Sequence, residues 1–266
     1  MRLPSSADDY AAVGEAARLA DLFGATMVAR FVQEAELADL AGLPCVRELR
    51  PFGGGWHPID ASQLTRQIER AAASARQRFH AAVAASPIAA SFEVVTGSVL
   101  DAIGAAANPD DIIVVIEPQN PAERVTQQFS RLIDAAFQTP AAVMVVPGRF
   151  ARRAGPIAAV MLRQDDPSIR SAIAIAATAK ERVIALAPPG SKLHDAIAEL
   201  AAGAGVQIEA GPCIPEPLDV QSLLAQMHHL KERLVVMSRG ADTDKGAPMI
   251  ASRRRIPVLV ARAAAW

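Results

Sequence analysis

Apolar runs of four to seven residues recur along the chain, and nearly every run is followed by a stretch of helical periodicity. Residues 5–24 (SSADDYAAVGEAARLADLFG) predict a helix. Ser6 and Asp9 have capping-box spacing, Val13, Ala17, Ala20 and Phe23 share a face, and Gly24 stands where a C-terminal cap belongs. A strand follows at 25–32. The segment from there to about Asp60 is polar and irregular, with the surface loop FGGGWHP at 52–58. An Arg- and Ala-rich helix over 61–85 leads to a strand at 91–97, a short helix at 98–107 and a strand at 111–116. A helix bearing Phe129, Leu132, Ile133 and Phe137 precedes the strand at 141–148.

The second half repeats this order more compactly. Strands are predicted at 156–162, 182–188, 206–211, 233–238 and 257–261. Asp166 and Pro167 open a helix by cap and first-turn chemistry. A helix from Ser191 bears Leu193, Ile197 and Leu200 and ends at Gly203 and Gly205; another covers 217–231, and a short one precedes the last strand. Strands alternating with helices imply right-handed crossovers and a parallel sheet covered on both faces.

The pattern is an internal repeat. DDIIVVIEP (110–118) aligns with ERLVVMSRG (232–240), TPAAVMVVPG (139–148) with IPVLVARAA (256–264), and GATMVARFV (24–32) with KERVIALAP (180–188). This predicts two domains, 1–150 and 151–266, joined near 148–155. One element lacks a counterpart: a strand (156–162) precedes the first helix of the second copy, where the first copy has only MRLP. In a sheet of order 3-2-1-4-5 that strand is the central one, and its loss leaves two edges unpaired. The expectation is a coding sequence that extends upstream of Met1, or another segment that repairs the centre.

Composition narrows the function classes. The chain has 266 residues, 51% of them hydrophobic, and a net charge of -1 from 27 basic and 28 acidic side chains. No global field therefore favours nucleic acid or an anionic membrane. Cys45 and Cys213 lie far apart and outside any CxxC, which argues against a disulfide framework or a zinc site. The start has no secretory leader pattern and no apolar run is of membrane-spanning length, so a soluble cytoplasmic protein is expected. His228 and His229 are helix neighbours pointing about 100° apart and read as surface residues. Asp165, Asp166 and Ser168 have no histidine nearby in sequence, so a helix cap explains them better than a nucleophile does. Arg149, Arg152, Arg153 and Arg253–Arg255 lack interleaved aromatics and read as solvated loop and helix-end residues. No P-loop, G-x-S-x-G or H-E-x-x-H pattern occurs.

Several stretches together resemble the universal stress protein family in its tandem form. DPSIRSAIAIA (166–176) is similar to the family's turn into its first helix. VVTGSVLDAI (94–103) followed by DDIIVV (110–115) is similar to its passage into the fourth strand. TPAAVMVV (139–146) and IPVLVA (256–261) are similar to its closing strand. The resemblance implies two flavodoxin-like α/β units, related to the adenine nucleotide alpha hydrolases, each a parallel sheet of order 3-2-1-4-5. It also implies pairing of the two fifth strands, 141–146 and 257–261, in an intramolecular pseudo-dimer, with a homodimer as a further possibility. Family members that bind ATP carry G-x-x-G, nine residues, then G-[S/T] after the fourth strand, so that backbone N–H groups can approach phosphate. The first copy puts Glu117 and Asn120 at the leading positions, beside Pro118 and Pro121, with no glycine between Gly104 and Gly148. The second copy puts Met237 and Gly240 there and Ile250 and Ala251 at the closing pair. Its connection from Gly240 to Pro257 is short for the family's helix. Asp166, Ser168, Ala187 and Gly240 are the positions that would touch a nucleotide, and the set is broken. The expected function is a regulatory or interaction protein with no cofactor and an unknown protein partner. The alternative is an ATP- or AMP-binding member with weak ATPase activity in the second domain. An enzyme of the wider adenine-nucleotide fold group is a distant third.

Overall fold

Two apolar strands from opposite halves of the chain pair antiparallel and so build one seven-stranded sheet. The computed structural model describes residues 7–34, 43, 45–50, 55–105, 108–118, 120–124, 126–163, 166–189, 193–215 and 217–262. Elements of the first half are α1 (Ala7–Leu22), β1 (Met27–Gln33), β2 (Arg47–Arg50), β3 (Gly55–Pro58), α2 (Ala61–Val83), β4 (Ala90–Thr96) and α3 (Val99–Gly104). They continue with β5 (Ile112–Ile116), the single turn α4 (Pro121–Arg124), α5 (Gln127–Gln138) and β6 (Ala142–Val146). The second half supplies β7 (Ile157–Val160), α6 (Pro167–Ala179), β8 (Val183–Leu186), α7 (Leu193–Ala204) and β9 (Ile208–Ala210). It ends with α8 (Val220–Gln226), β10 (Leu234–Ser238), α9 (Ala241–Arg254) and β11 (Val258–Ala261).

The sheet order is β5-β6-β11-β10-β7-β8-β9. The last five strands, all parallel to one another, realise the order 3-2-1-4-5. β5 and β6 pair parallel, and β6 meets β11 antiparallel with Val145 opposite Val258 and Val143 opposite Val260. All four valines are 0% exposed. Each buried valine contributes about 1.5–3 kcal/mol, so the joint is part of the core rather than a seam. One face of the sheet packs Ile157, Ala159, Leu234 and Met144 against Ile169, Ala172 and Ile173 of α6 and Ile197 of α7. The other packs Val143, Val235 and Val258 against Ile133 of α5, Leu223 of α8 and Ile250 of α9.

The first half does not complete the same sheet. β1 and β4 pair parallel as a separate two-stranded sheet, and among the described residues no strand pairs with the other edge of β1 or of β5. Helix α1 spans the break through two buried faces. Val13 and Ala17 pack with Phe79 of α2 and Ala29 of β1, while Ala12 and Leu19 join the core of the joint sheet. Phe23 packs with Leu19 and not with Val13, so the one-face reading of this helix is corrected to two. Its C-terminus is as expected: Gly24 has φ 61, and Ala25 N–H reaches the Ala20 carbonyl at 2.9 Å. The capping box assigned to Ser6 and Asp9 lies outside the described residues.

Four further expectations change. The irregular segment before Asp60 contains the antiparallel hairpin β2–β3, whose backbone register pairs position 49 with the exposed Trp56. The helix predicted at 217–231 is confined to Val220–Gln226. Gly203 lies within α7, and only Gly205, at φ 67, ends it. The connection from Gly240 to Pro257 is not short: α9 runs 14 residues despite Pro248 inside it.

Candidate functional site

Asp166 precedes the first helix after β7, at the point where helices leave the sheet in opposite directions, which is where open α/β sheets place ligands. The chain enters α6 with Asp166 extended and Pro167 in the first turn, where proline fits because the N–H it lacks would have no intrahelical acceptor. Asp166 Oδ1 accepts from Ser168 N–H at 3.0 Å and also from the hydroxyl of Ser238 at the end of β10. Its Oδ2 accepts from Leu162 N–H at 3.0 Å. Ser168 N–H also reaches Ser238 Oγ at 3.2 Å, and the Ser168 hydroxyl donates to the Val160 carbonyl at 2.9 Å. Asp166, Ser168 and Ser238 are 1%, 0% and 6% exposed, so the cluster is buried beneath the surface. Ala187, at the end of β8, is buried too.

Gly240 is exposed and begins α9 in extended backbone, φ 179. Its surroundings are supplied from within the chain. The Thr243 hydroxyl bridges the carbonyls of Ser238 (2.7 Å) and Gly240 (2.9 Å). The Asp244 carboxylate accepts from Gly240 N–H at 3.3 Å. Burial raises the Asp244 pKa, and the Gly240 hydrogen bond and nearby Arg239 oppose that. Asp242 and Asp244 both lie in the first turn of α9, where the helix dipole favours negative charge. They also repel a phosphate approaching the same N–H groups. Arg239, beside Gly240, turns away to the joint between the halves: Nη1 donates to the Thr139 carbonyl at 2.6 Å and Nη2 to that of Ala141 at 3.0 Å.

In the first half, Glu117 ends β5, and its N–H donates to the Val146 carbonyl at 2.8 Å. Its side chain is 3% exposed, and burial raises its pKa to about 7, against the pull of Arg124. Arg124 Nε donates to the Pro118 carbonyl (2.8 Å) and Nη1 to Ser252 Oγ on α9 (2.7 Å). The position of the family's first glycine thus holds a buried carboxyl group.

The structure therefore brings Asp166, Ser168 and Ser238 together, places Ala187 just past the end of the neighbouring strand β8, and puts Gly240 at the surface, linked to Ser238 through Thr243. Sequence reasoning missed Ser238, Thr243 and Asp244, although the four-residue stretch 237–240 and the acidic first turn of α9 carry that signal. His228 and His229 are exposed and follow the end of α8 rather than lying within it, with ring centroids 3.4 Å apart and planes tilted by 46°. Among the described residues no group of three or more His, Cys, Asp or Glu could hold a metal. Among them, too, no helix is long and apolar enough to cross a membrane.

No protein-family model matches the chain. No curated protein matches it either. Among solved structures, a universal stress protein from Archaeoglobus fulgidus aligns over 98% of this chain and 94% of its own, with TM-score 0.59 and 15% identity. A functionally unknown protein from Pseudomonas aeruginosa aligns over 93% and 86% with TM-score 0.44 and 15% identity. The first of these likenesses establishes a shared α/β fold, in which parallel strands dominate the sheet and helices cover both of its faces.

Proposed function

We propose that this chain is a tandem universal-stress-type protein with a regulatory or interaction role and without efficient ATP binding. The fold shared with the Archaeoglobus fulgidus protein supports the family reading, together with the resemblance of 94–103, 139–146 and 166–176. One observation supports the loss of nucleotide binding. The polar groups at the strand ends are satisfied internally, Asp166 by Ser168, Ser238 and Leu162 N–H, and the Gly240 N–H by Asp244. A triphosphate would have to displace these contacts and lie against Asp242 and Asp244, and separating a buried carboxylate from its donors is costly.

Equilibrium binding of labelled ATP and AMP tests this. The expected result is no saturable binding across physiological nucleotide concentrations. Saturable binding in the low micromolar range, lost in Gly240→Glu, would replace this reading with a nucleotide-binding protein that uses the second half.

A further inference from the structure

Residues 149–156 join the two halves, and hydrogen bonds lay this strap along the end of α9 and the turn before β10. Ala151 N–H donates to the Arg255 carbonyl at 2.7 Å, Arg152 Nη1 to the Glu232 carbonyl at 3.4 Å, and Arg233 N–H to the Pro156 carbonyl at 2.9 Å. The Lys231 carbonyl lies against Gly155. Three cation-rich stretches, distant in sequence, thus share one surface. Arg149, Arg152 and Arg153 come from the strap, Lys231 from the turn before β10, and Arg253 and Arg255 from the end of α9.

The carboxylates that touch this surface are already held. Glu232, 0% exposed, is gripped by Arg254 with Nε to Oε1 at 2.8 Å and Nη2 to Oε2 at 2.9 Å. Arg153 Nε reaches Glu15 Oε1 of α1 at 2.8 Å. Glu181 Oε1 accepts from Gly155 N–H at 3.0 Å and lies 4.0 Å from Arg233 Nη1. Lys231, Arg253 and Arg255 are exposed and make no ion pair among the described residues. Closing α9 does not use their side chains, because its end bonds through backbone: Arg255 N–H reaches the Ala251 carbonyl at 2.8 Å, and the Arg255 carbonyl takes Ala151 N–H.

Two observations identify what such a surface takes. Arg254 and Arg153 both engage carboxylates here, one as a two-pronged fork and the other from an exposed position on the strap, so the local geometry suits carboxylate oxygens. A net charge of -1 gives no overall field toward a phosphate backbone. Phe150, the aromatic residue of the strap, packs against the core and offers no ring for base stacking. We propose that this surface docks an acidic segment of a partner protein, rich in Asp and Glu, whose carboxylates meet Lys231, Arg253 and Arg255. The inference rests on the interaction role proposed above and names the chemistry of the partner.

The probe is a fluorescent synthetic peptide of alternating Glu and Ala, with a Gln-for-Glu peptide of the same length as control. Saturable binding of the acidic peptide is expected, weakening as salt rises, with none for the control. The triple variant Lys231→Gln, Arg253→Gln, Arg255→Asn should bind it about tenfold more weakly, because each exposed ion pair contributes modestly. Asn tolerates the left-handed backbone at position 255, φ 55, so the melting temperature should stay that of the parent. A second variant, Arg66→Gln with Arg70→Gln, removes exposed cations of α2 and should bind like the parent. Absent binding, or equal weakening in both variants, overturns the proposal. So does tighter binding of duplex DNA than of the acidic peptide, or a dimer that the triple variant dissociates, which would make nucleic acid or a second copy the occupant. Labelled ATP reports separately: binding lost in Gly240→Glu but kept in the triple variant counts against the function proposed above and not against this surface.

Discussion

Arg239 Nη1 donates to the Thr139 carbonyl at 2.6 Å, across 100 residues of sequence and from one half of the chain to the other. Nη2 donates to Ala141 at 3.0 Å, the guanidinium lies 5.7 Å from the Phe137 ring centroid, and Arg262 donates to the intervening Pro140 carbonyl at 3.1 Å. Three successive carbonyls leading into β6 are thereby held by two arginines from the end of the second half. The fork geometry matters here, because one lysine ammonium cannot place two fixed donors on Thr139 and Ala141. Arg239→Lys should lower stability by about 1–2 kcal/mol and Arg239→Ala by about 2–4, since each loss strands part-buried carbonyls. Urea denaturation of the three proteins side by side checks this; equal midpoints would show that the fork contributes nothing.

Val145 and Val258 face one another in the antiparallel pair that joins β6 to β11. Val145→Asp places a carboxylate where exposure is 0% and should cost more than about 4 kcal/mol, enough to prevent cooperative folding. Val260→Ala, a milder change in the same pair of strands, should cost about 1–3 kcal/mol without altering the fold. If Val145→Asp melts like the parent protein, these two strands do not form a buried joint in solution.

Glu117 makes stability depend on pH in a predictable direction. Burial raises its folded-state pKa from 4.5 to about 7. Between those values the folded chain holds the proton more tightly than the unfolded chain, so this group's contribution to stability falls as pH rises through that window. The cost is absent below the unfolded value and fully present above pH 7. Glu117→Gln should remove the slope and be more stable than the parent at pH 8 by up to about 3 kcal/mol. Chemical denaturation at pH 5 and pH 8 gives the comparison, and an unchanged slope in Glu117→Gln would assign the pH dependence to other groups.

Two glycines should respond in opposite ways. Gly155 has φ 128, and a Cβ there would run into the Lys231 carbonyl oxygen. Gly155→Ala should therefore destabilise by about 1–3 kcal/mol. Gly240, at φ 179, leaves a Cβ 3.5 Å from Thr243 Oγ1, an ordinary contact. Gly240→Ala should stay within about 0.5 kcal/mol of the parent. Thermal melts of the two variants decide, and a severe loss at Gly240 would point to a backbone requirement absent from the structure.

Local chemistry made much of the fold legible in the sequence. Asp166 followed by Pro167 does cap and open α6, and Gly24 does end α1 in left-handed backbone. Lys180, equated with Gly24 by the repeat, adopts φ 54 at the end of α6, so the repeat carries backbone conformation even where glycine is replaced. The hairpin β2–β3 was not legible, because Arg47–Arg50 and Gly55–Pro58 lack the β-branched alternation that marks a strand. Helix α9 was underestimated because Gly246 and Pro248 lie inside it, and its packing on the sheet through Ala247 and Ile250 outweighs their low propensity.

The candidate site divides in the same way. Departures from the pattern the chain resembles could be read from residue types alone: Glu117 and Asn120 stand where that pattern has glycines, and Ile250 and Ala251 where it has a Gly-Ser pair. The bond between Asp166 and Ser238 could not be read, because they lie 72 residues apart and meet only when β7 and β10 become neighbours. The same holds for the sheet of the first half. The sequence shows a strand pattern at 156–162 and only MRLP at the matching place of the first half. That β1 and β4 then separate from β5 and β6, with α1 buried on two faces across the break, follows from packing. Periodicity along a chain records which face of an element is apolar, whereas the partner that covers that face is chosen by contacts distant in sequence.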